Sequence, residues 1–352
     1  MSISEAARRL GLRYPIIQGP FGGGLSTLKL VATVSNAGGM GSFGAHVTPP
    51  DQIEALTRDA RAQTNQPFAL NLWISDHDPG GLELSQEEFD RVYQRFEPYF
   101  RELGLDKPER PQRYHQSYEK QIEALLEARP PAFSFVFGIP SAKILAECRR
   151  RGIVTLGTAT SIAEAQALEA AGVDLIIATG LDAGGHRPSF LASAEESLMG
   201  TMSVTQLIAA RVKVPVVAAG GIADGRGMKA AFALGAQAVQ IGTAFLACEE
   251  SGTTPEHRAI LFSDKAQHTV LTRAFSGRLA RGVRNRWTDE IAPRLGAIAP
   301  FPVQNWFMSR LRPAAVKAGR TDLVSLWAGQ VSPNLKHRNA GALMASLIAE
   351  EA

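Results

Sequence analysis

The stretch Val214-Pro-Val-Val-Ala-Ala-Gly-Gly-Ile222, followed by Ala238-Val-Gln-Ile-Gly-Thr243, decides the fold. Each half is a short apolar run that ends in glycine, and a helix-forming segment separates them, which is the pattern of two parallel strands joined by a helix. Glycine at a strand end leaves main-chain N–H groups open to phosphate oxygens, although the pair Gly220 and Gly221 also fits a simple tight turn. Two such ends in tandem favour a phosphate site, which (β/α)8 barrels commonly place after their last two strands.

The same unit repeats through the first 250 residues. Short strands alternate with helices that begin at a capping residue and end at glycine, as in the segment 161–171 before Gly172. This alternation predicts an α/β fold, the TIM (β/α)8 barrel. The eight predicted strands cover residues 15–18, 41–44, 68–74, 132–137, 154–157, 175–178, 214–219 and 238–241.

Two regions interrupt the repeat. Residues 75–130 form a long polar and then aromatic segment, which we interpret as a helical insertion after strand three at the catalytic face. We assign residues 1–250 to the barrel, and residues 251–352 to a small, mainly helical, substrate-side extension over the barrel mouth. The aromatic residues of the insertion are expected to pack rather than to stack on a cofactor. They are Phe89, Tyr93, Phe96, Tyr99 and Phe100.

Composition excludes several functional classes. Lys and Arg total 37 against 34 Asp and Glu, and this net charge of +3 does not favour a nucleic-acid partner. We find neither a signal segment nor an apolar run of the ~18 residues that a membrane span needs. Two distant cysteines, Cys148 and Cys248, suit the reducing cytoplasm, where we expect the protein to act. The oligomeric state does not follow from the sequence.

A histidine follows predicted strand six in the loop Leu181-Asp-Ala-Gly-Gly-His186. The carboxyl end of a barrel strand is where this fold keeps its chemistry, and an unperturbed imidazole pKa of ~6.5 suits proton transfer near neutral pH. Gly184 and Gly185 allow a flat ligand to approach the backbone. Asp182 is assigned to a turn or hydrogen bond, because one Asp and one His fall short of a metal site, and no metal is expected.

Two further features point to the same end of the barrel. Asn71 is polar within an apolar strand and must be paired, either to a ligand ring or to the backbone. The segment Gln18-Gly-Pro-Phe-Gly-Gly-Gly24 is either a flexible turn or a third stretch of exposed main chain. A phosphate site, bare backbone and a lone histidine together indicate a phosphorylated planar cofactor such as a flavin.

Six motifs carry a resemblance that runs through nearly the whole chain. They are Pro15-Ile-Ile-Gln-Gly-Pro20, Asp182-Ala-Gly-Gly-His186, Ala218-Ala-Gly-Gly-Ile222, Val239-Gln-Ile-Gly-Thr-Ala-Phe245, Pro302-Val-Gln-Asn305 and Leu326-Trp-Ala-Gly-Gln330. In these motifs the chain resembles the nitronate monooxygenases. The resemblance implies an FMN-dependent enzyme that oxidises alkyl nitronates, or neutral nitroalkanes, with dioxygen to a carbonyl compound and nitrite.

The resemblance also implies roles for individual residues. His186 is expected beside the substrate, as a base toward neutral nitroalkanes. The FMN phosphate and ribityl chain are expected at Gly220, Gly221, Gln240, Gly242 and Thr243. The flavin ring is expected along Pro20, Phe21, Asn71, Gly184 and Gly185, with Thr179 also at a cofactor-binding position.

Three positions depart from the family pattern. Thr179 replaces a glutamine found in many members, Val136 replaces a common histidine, and Phe301 replaces a frequent tyrosine. The flavin site is expected to be intact. The loss of these polar groups predicts a substrate less polar than a nitro-carboxylate, either a plain nitroalkane or a compound outside the nitro class.

Other functions fit parts of the pattern. An FMN-dependent NAD(P)H reductase for quinones or enoyl thioesters can share the Gly-Gly-His loop. A barrel that only binds a phosphorylated metabolite, with His186 as a hydrogen-bond donor, is a second alternative. A sugar-phosphate isomerase or aldolase ranks last, because the strands lack a convincing lysine or carboxylate pair.

Overall fold

The computed structural model describes residues 4–74, 84–291 and 298–351. The start of the predicted insertion, residues 75–83, lies outside these ranges. Within them, no helix combines the length and the apolar character that crossing a bilayer requires.

Eight parallel strands form the barrel, in the order β1-β9-β8-β6-β5-β4-β3-β2. The ring closes where β1 meets β2, through a parallel bridge between Ile17 and Met40. The strands of the described chain are β1 (Ile16–Gln18), β2 (Gly41–Gly44), β3 (Phe68–Trp73), β4 (Ala132–Val136), β5 (Val154–Ala159), β6 (Leu175–Thr179), β7 (Gly185–His186), β8 (Val216–Ala219), β9 (Ala238–Ile241), β10 (Thr269–Thr272) and β11 (Ala280–Val283).

Helices surround this ring and extend over its carboxyl-terminal end. They are α1 (Glu5–Leu10), α2 (Leu28–Asn36), α3 (Pro50–Gln63), α4 (Gln86–Glu102), α5 (Tyr118–Ala128), α6 (Ala142–Arg150), α7 (Ile162–Ala171), α8 (Thr201–Ala209), α9 (Gly225–Ala233), α10 (Thr243–Leu246), α11 (Pro255–Leu261), α12 (Arg286–Ile291), α13 (Val303–Lys317) and α14 (Ala340–Glu351).

The predicted barrel is confirmed, because local signals set most of the element bounds. Helix α7 begins after Ser161, whose hydroxyl accepts a hydrogen bond from the Glu164 N–H, and ends at Gly172 with φ 82°. This left-handed backbone conformation favours glycine and ends the helix. The eight barrel strands lie within two residues of their predicted bounds at each end.

Helix α1 closes the amino-terminal end of the barrel. Its Ala6, Ala7 and Leu10 are buried in one cluster with Ala132 and Leu175, which begin their strands. Burial of this apolar face is the main stabilisation available to so short a helix. The opposite end of the barrel is therefore the one left open for a ligand.

The predicted insertion contains two different kinds of helix. The aromatic residues of α4 pack on the carboxyl-terminal region, as expected: the Phe96 and Phe307 rings are stacked with centroids 4.8 Å apart, and Phe96 lies 5.4 Å from Trp287. Helix α5 instead packs against α3 and β3, and so serves as an outer helix of the barrel.

The last helix, α14, returns to the barrel wall. It packs against α2 and α9, and its Leu343, Met344 and Leu347 are buried with residues of the β1 and β9 region. It therefore fills the position of the barrel's final outer helix. The division at residue 250 stays a prediction.

A three-stranded antiparallel sheet, ordered β10-β11-β7, is an element that the sequence analysis did not predict. Within it, Ala280 is paired with His186 and Arg281 with Gly185. The Arg- and Gly-containing run of β11 lacks the apolar alternation by which a strand is normally detected. This hairpin fastens the carboxyl-terminal region to the loop after β6.

The glycine that begins β2 gives a test of barrel packing. A Cβ at Gly41 would lie 2.3 Å from the Val31 carbonyl oxygen, so Gly41→Ala forces main chain apart in the barrel wall. We expect the free energy of unfolding to fall by about 1–3 kcal/mol, measured by urea denaturation.

Gly227→Ala is the matched control. A Cβ there would make only ordinary contacts, with Ile222 and Asp224 just before α9, and alanine has a higher helix propensity than glycine. Its stability should equal or slightly exceed that of the parent protein. A Gly41→Ala protein as stable as the Gly227→Ala protein would contradict the packing argument.

Candidate active site

A cavity of about 580 Å³ opens at the carboxyl ends of the barrel strands. A cavity of this size suits a cofactor-sized ligand. The structure brings all of the predicted site residues to its wall: Pro20, Phe21, Asn71, Thr179, Gly184, Gly185, His186, Gly220, Gly221, Gln240, Gly242 and Thr243. Their roles remain predictions.

The ends of β8 and β9 line the cavity with main chain. Gly220 and Gly221 have φ values of 105° and 69°, which favour glycine, and a Cβ at Gly220 would lie 2.8 Å from Thr201 Oγ1. After β9, Thr243 Oγ1 accepts a hydrogen bond of 2.9 Å from the Gly329 N–H. The Thr243 O–H can then donate to a ligand oxygen. This cradle of small residues fits a phosphate.

The loop between β6 and β7 is held by the chain around residue 329. A Cβ at Gly184 would lie 2.6 Å from the Ala328 carbonyl carbon and the Gly329 nitrogen, so only glycine permits this approach. The Asp182 carbonyl accepts a hydrogen bond of 2.9 Å from the Gln330 N–H. Its carboxylate accepts another, of 2.6 Å, from the Thr201 N–H at the start of α8. Asp182 thus has the hydrogen-bonding role expected from its sequence context.

Two amide side chains offer polar groups to a ligand. Asn71 donates to Ser134 Oγ at 3.0 Å, so this buried amide is paired with a side chain rather than with the backbone. Its Oδ1 and the whole Gln240 amide make no hydrogen bond within the described ranges. Both residues line the cavity, where such groups can bind the polar edge of a heterocyclic ring or a ribityl chain.

His186 is fixed by three contacts in a mostly aromatic corner. Its Nε2 lies 2.8 Å from Ser276 Oγ, and its ring centroid lies 4.8 Å from Trp73 and 5.0 Å from Trp327. The pairing of β7 with β11 brings Ser276 to this position. Geometry of this kind holds an imidazole in one orientation, as acid–base chemistry requires.

Arg187 binds the main chain at the end of β6 and in the loop that follows. It is 2% exposed, and its guanidinium donates to the carbonyls of Thr179, Gly180 and Ser197 at 3.2, 2.6 and 2.7 Å. Burial lowers its pKa to about 10. The carbonyls pair with Nη1 and Nη2, while Nε is buried without a partner in the described chain. Arg187 does not line the cavity, so it holds the end of β6 rather than facing a ligand.

The electrostatics of the cavity favour anions. Burial, the positive charge of Arg278 and the nearby His46 lower the pKa of His186 to about 3, so its imidazole is neutral at physiological pH. The Arg278 guanidinium lies 3.5 Å from the Phe137 ring centroid and 4.7 Å from that of Phe301. No Asp or Glu lies among the described residues that line the cavity, whereas Arg310 and Arg312 do.

The sequence analysis missed His46 and Trp73. Their rings are stacked with centroids 3.8 Å apart and an interplanar angle of 8°, and His46 Nδ1 is buried without a hydrogen-bond partner in the described chain. Burial and Arg278 also lower the pKa of His46 to about 3. Both residues lie at the carboxyl ends of strands, a position from which the sequence could have identified them.

Ser276 was also missed, but for a different reason. It reaches His186 only through the β10–β11 hairpin, 90 residues away along the chain. No local pattern in the sequence indicates such a contact. All three departures from the family pattern, Thr179, Val136 and Phe301, line the cavity. Val136 and Phe301 make its wall more apolar than the histidine and tyrosine common at these positions would.

The comparisons with known proteins agree on one family. The family model described as "Nitronate monooxygenase" matches residues 5–350. A "probable nitronate monooxygenase" of Staphylococcus haemolyticus (strain JCSC1435) is 38% identical over 334 residues, which cover 94% of this chain and 92% of that protein. One from Staphylococcus aureus (strain Newman) is 38% identical over 347 residues, or 98% and 96% of the two chains.

Solved structures agree with the sequence comparisons. Nitroalkane oxidase from Streptomyces ansochromogenes superposes with a TM-score of 0.88 at 35% identity, over 99% of this chain and 98% of that one. FabK from Thermotoga maritima superposes with a TM-score of 0.77 at 27% identity, over 100% and 96%.

Three buried histidines predict a loss of stability in acid. The pKa values of His46 and His186 are lowered to about 3, and that of His257 to about 4, mainly by burial. In the unfolded chain they titrate near ~6.5, so below that pH the unfolded state binds protons that the native state does not. The free energy of unfolding should therefore fall as the pH drops from about 6.5 toward 4.5.

His257→Gln removes one of these groups. We expect its urea-unfolding free energy to depend less on pH than that of the parent, by about 1.4 kcal/mol per pH unit in this window. His268→Gln, which changes an exposed histidine, is the control and should follow the parent curve. If the unfolding free energies of the parent and His257→Gln changed equally with pH, the lowered pKa of His257 would be refuted.

Proposed function

The chain belongs to the nitronate monooxygenase family, and from that premise we propose that it binds FMN and oxidises alkyl nitronates with dioxygen to a carbonyl compound and nitrite. That it is a flavin-dependent oxidoreductase follows from the family and from its likeness to a nitroalkane oxidase. The observation that supports this proposal is the neutral imidazole of His186, which lines the same cavity as the glycine cradle. No Asp or Glu is among the described residues of that cavity.

The residues present fit FMN. Gly220, Gly221, Gly242 and Thr243 would hold the phosphate, because their main-chain and hydroxyl groups reach the cavity without a side chain filling it. Gln240 would hold the ribityl chain, and the ring would lie along Pro20, Phe21, Asn71, Gly184 and Gly185, with Thr179 also at a cofactor-binding position. A bound flavin supplies the chemistry that the side chains lack, since it accepts electrons from a carbanion-like substrate and passes them to dioxygen.

The hydrogen bonds around Ser276 allow a tautomer of neutral His186 in which Nδ1 can act as the base. Ser276 Oγ lies 3.3 Å from the Arg278 carbonyl, to which it can donate, and 2.8 Å from His186 Nε2. When the serine proton points to that carbonyl, Nε2–H donates to Ser276 and the lone pair lies on Nδ1. Nδ1 is then the atom that can accept a proton from a neutral nitroalkane.

The charges favour the nitronate anion over its neutral form. Burial first, and then Arg278, lower the pKa of His186, which makes the imidazole a weak base while the cavity holds no anion. A nitronate in the cavity opposes that effect, because its negative charge stabilises both the arginine and a protonated imidazole. Nitronates need no deprotonation before they give up electrons, so we expect them to be the better substrates.

An anaerobic absorbance experiment tests the proposed function. The purified protein should be yellow with bound FMN, and ethyl or propyl nitronate should bleach it without oxygen, whereas NADH should not. Rapid bleaching by NADH alone would favour the NAD(P)H reductase. A protein that stays colourless with added FMN would favour the binding protein.

His186→Asn tests the role of the imidazole. We expect FMN to remain bound and turnover of neutral nitroethane to fall by ~10²-fold, the scale for a lost general base. Oxidation of preformed ethyl nitronate should change far less, because that substrate needs no base.

Ser276→Ala is the companion variant. It removes the hydrogen bond to Nε2 but keeps the ring, so its loss on nitroethane should be smaller than that of His186→Asn. Unchanged turnover of neutral nitroethane in His186→Asn would remove His186 from the mechanism.

A further inference from the structure

Phe137 directly follows the last residue of β4, and its backbone is left-handed, with φ 69°. We propose that Phe137 is a positioning residue, which holds the His186 imidazole in the orientation that proton transfer needs. The inference rests on the proposed function, because it takes His186 to be the base toward neutral nitroalkanes. Phe137 is not among the described residues that line the cavity, so it acts on His186 through its neighbours.

The backbone conformation of Phe137 is costly and has no local cause. A bulky side chain disfavours the left-handed region, and such strain persists only where surrounding contacts impose it. Among the described residues, Arg129 is the other non-glycine residue with a positive φ, and it ends α5, where a left-handed residue is common. Phe137 instead follows a strand. The next residue, Gly138, could adopt this conformation without steric cost, yet its φ is not positive.

The first contact that holds Phe137 is with Arg278. The guanidinium carbon lies 3.5 Å from the Phe137 ring centroid, within the range of a cation–π interaction. The main chain of Arg278 is bound in turn to Ser276, whose Oγ accepts a hydrogen bond of 3.3 Å from the Arg278 N–H. The same Oγ lies 2.8 Å from His186 Nε2. Phe137 therefore restrains the hydrogen-bond partner of the imidazole.

The second contact is with Trp73. The Phe137 and Trp73 rings are edge-on, with centroids 4.9 Å apart and an interplanar angle of 66°. Trp73 is edge-on to His186 as well, at 4.8 Å and 73°, and it is stacked on His46. The Phe137 ring itself lies 6.4 Å from that of His186. Phe137 therefore restrains the ring beside the imidazole as well as its hydrogen-bond partner.

These two routes reach different parts of His186, and together they oppose its rotation. Ser276 holds Nε2, whereas Trp73 packs against the ring. An aromatic side chain suits the position of Phe137 because it attracts a cation to its face and packs edge-on with a second ring. An aliphatic side chain offers neither interaction. The strained backbone thus places a ring where it contacts both Arg278 and Trp73.

Phe137→Leu in the FMN-loaded enzyme tests the inference, because leucine keeps an apolar side chain but removes the ring. We expect kcat/KM for neutral nitroethane to fall about 10-fold, mainly through kcat, since a misplaced base transfers protons less effectively. Preformed ethyl nitronate needs no base and should change by less than about threefold. An equal loss on both substrates would mean that Phe137 is merely structural, and the inference would be wrong.

Phe262→Leu is the matched control. The Arg338 guanidinium lies 4.0 Å from the Phe262 ring centroid, which is the same kind of contact, but neither residue is among the described residues that line the cavity. Both substrates should be oxidised at rates near those of the parent. If Phe137→Leu does not fold, Phe137→Asn takes its place, because asparagine tolerates a left-handed backbone and also lacks the ring.

A nuclear magnetic resonance measurement does not depend on turnover. In protein that carries isotope-labelled histidine nitrogens, a ring N–H of His186 should exchange slowly with water, because it is bonded to Ser276. His186→Asn lacks this signal and so assigns it. In Phe137→Leu we expect exchange to be about 10-fold faster, since the ring is held less firmly. Phe262→Leu should match the parent.

The outcomes separate this inference from the proposed function. Faster exchange in Phe137→Leu, in a protein that oxidises no nitronate, would keep the positioning role and sink the proposed function. Exchange at the parental rate in Phe137→Leu would overturn the inference, as would a parent whose His186 shows no slowly exchanging N–H. Unchanged turnover of neutral nitroethane by Phe137→Leu would overturn it too.

Discussion

The site depends on close main-chain packing between the loop that carries His186 and the segment around residue 329. Gly184 has no side chain, so the backbone of Ala328 and Gly329 lies directly against it. The same segment donates from Gly329 to Thr243 and from Gln330 to Asp182. These contacts orient a residue of the glycine cradle, fix the loop that carries His186 and bring Trp327 beside His186. They join the barrel to its carboxyl-terminal region at the wall of the cavity.

The barrel and its glycine cradle could be predicted from the sequence because their signals are local. Caps such as Ser161 and glycines such as Gly172 and Gly220 report the conformation of the backbone at their own positions. Ser276 and Arg312 could not be found in this way. Each reaches the cavity through long-range packing, by the β7–β11 pairing or by the seating of α13, and neither residue has a neighbour in sequence that indicates it. His46 is an intermediate case, since its position after β2 was visible but its stacking on Trp73 was not.

Charge, more than shape, distinguishes the two ends of this cavity. Near His186, aromatic rings and burial keep the imidazoles neutral, and Arg278 adds a positive field over Phe137 and Phe301. Along α13 the field comes from arginine side chains that face the cavity. Among the described residues that line the cavity, none is an Asp or Glu that would oppose either source. An anion is therefore favoured along the whole cavity, which agrees with a family named for nitronates.

Helix α14 covers the barrel wall between α9 and α2, although a long segment separates it in sequence from the last barrel strand, β9. Its Leu343 and Met344 supply the packing at this position. The long segment between β9 and α14 is therefore attached to the barrel at both of its ends. Such a segment can change in length during evolution, and the residues with which it lines the cavity can change too. The flavoprotein barrel to which it is attached need not change.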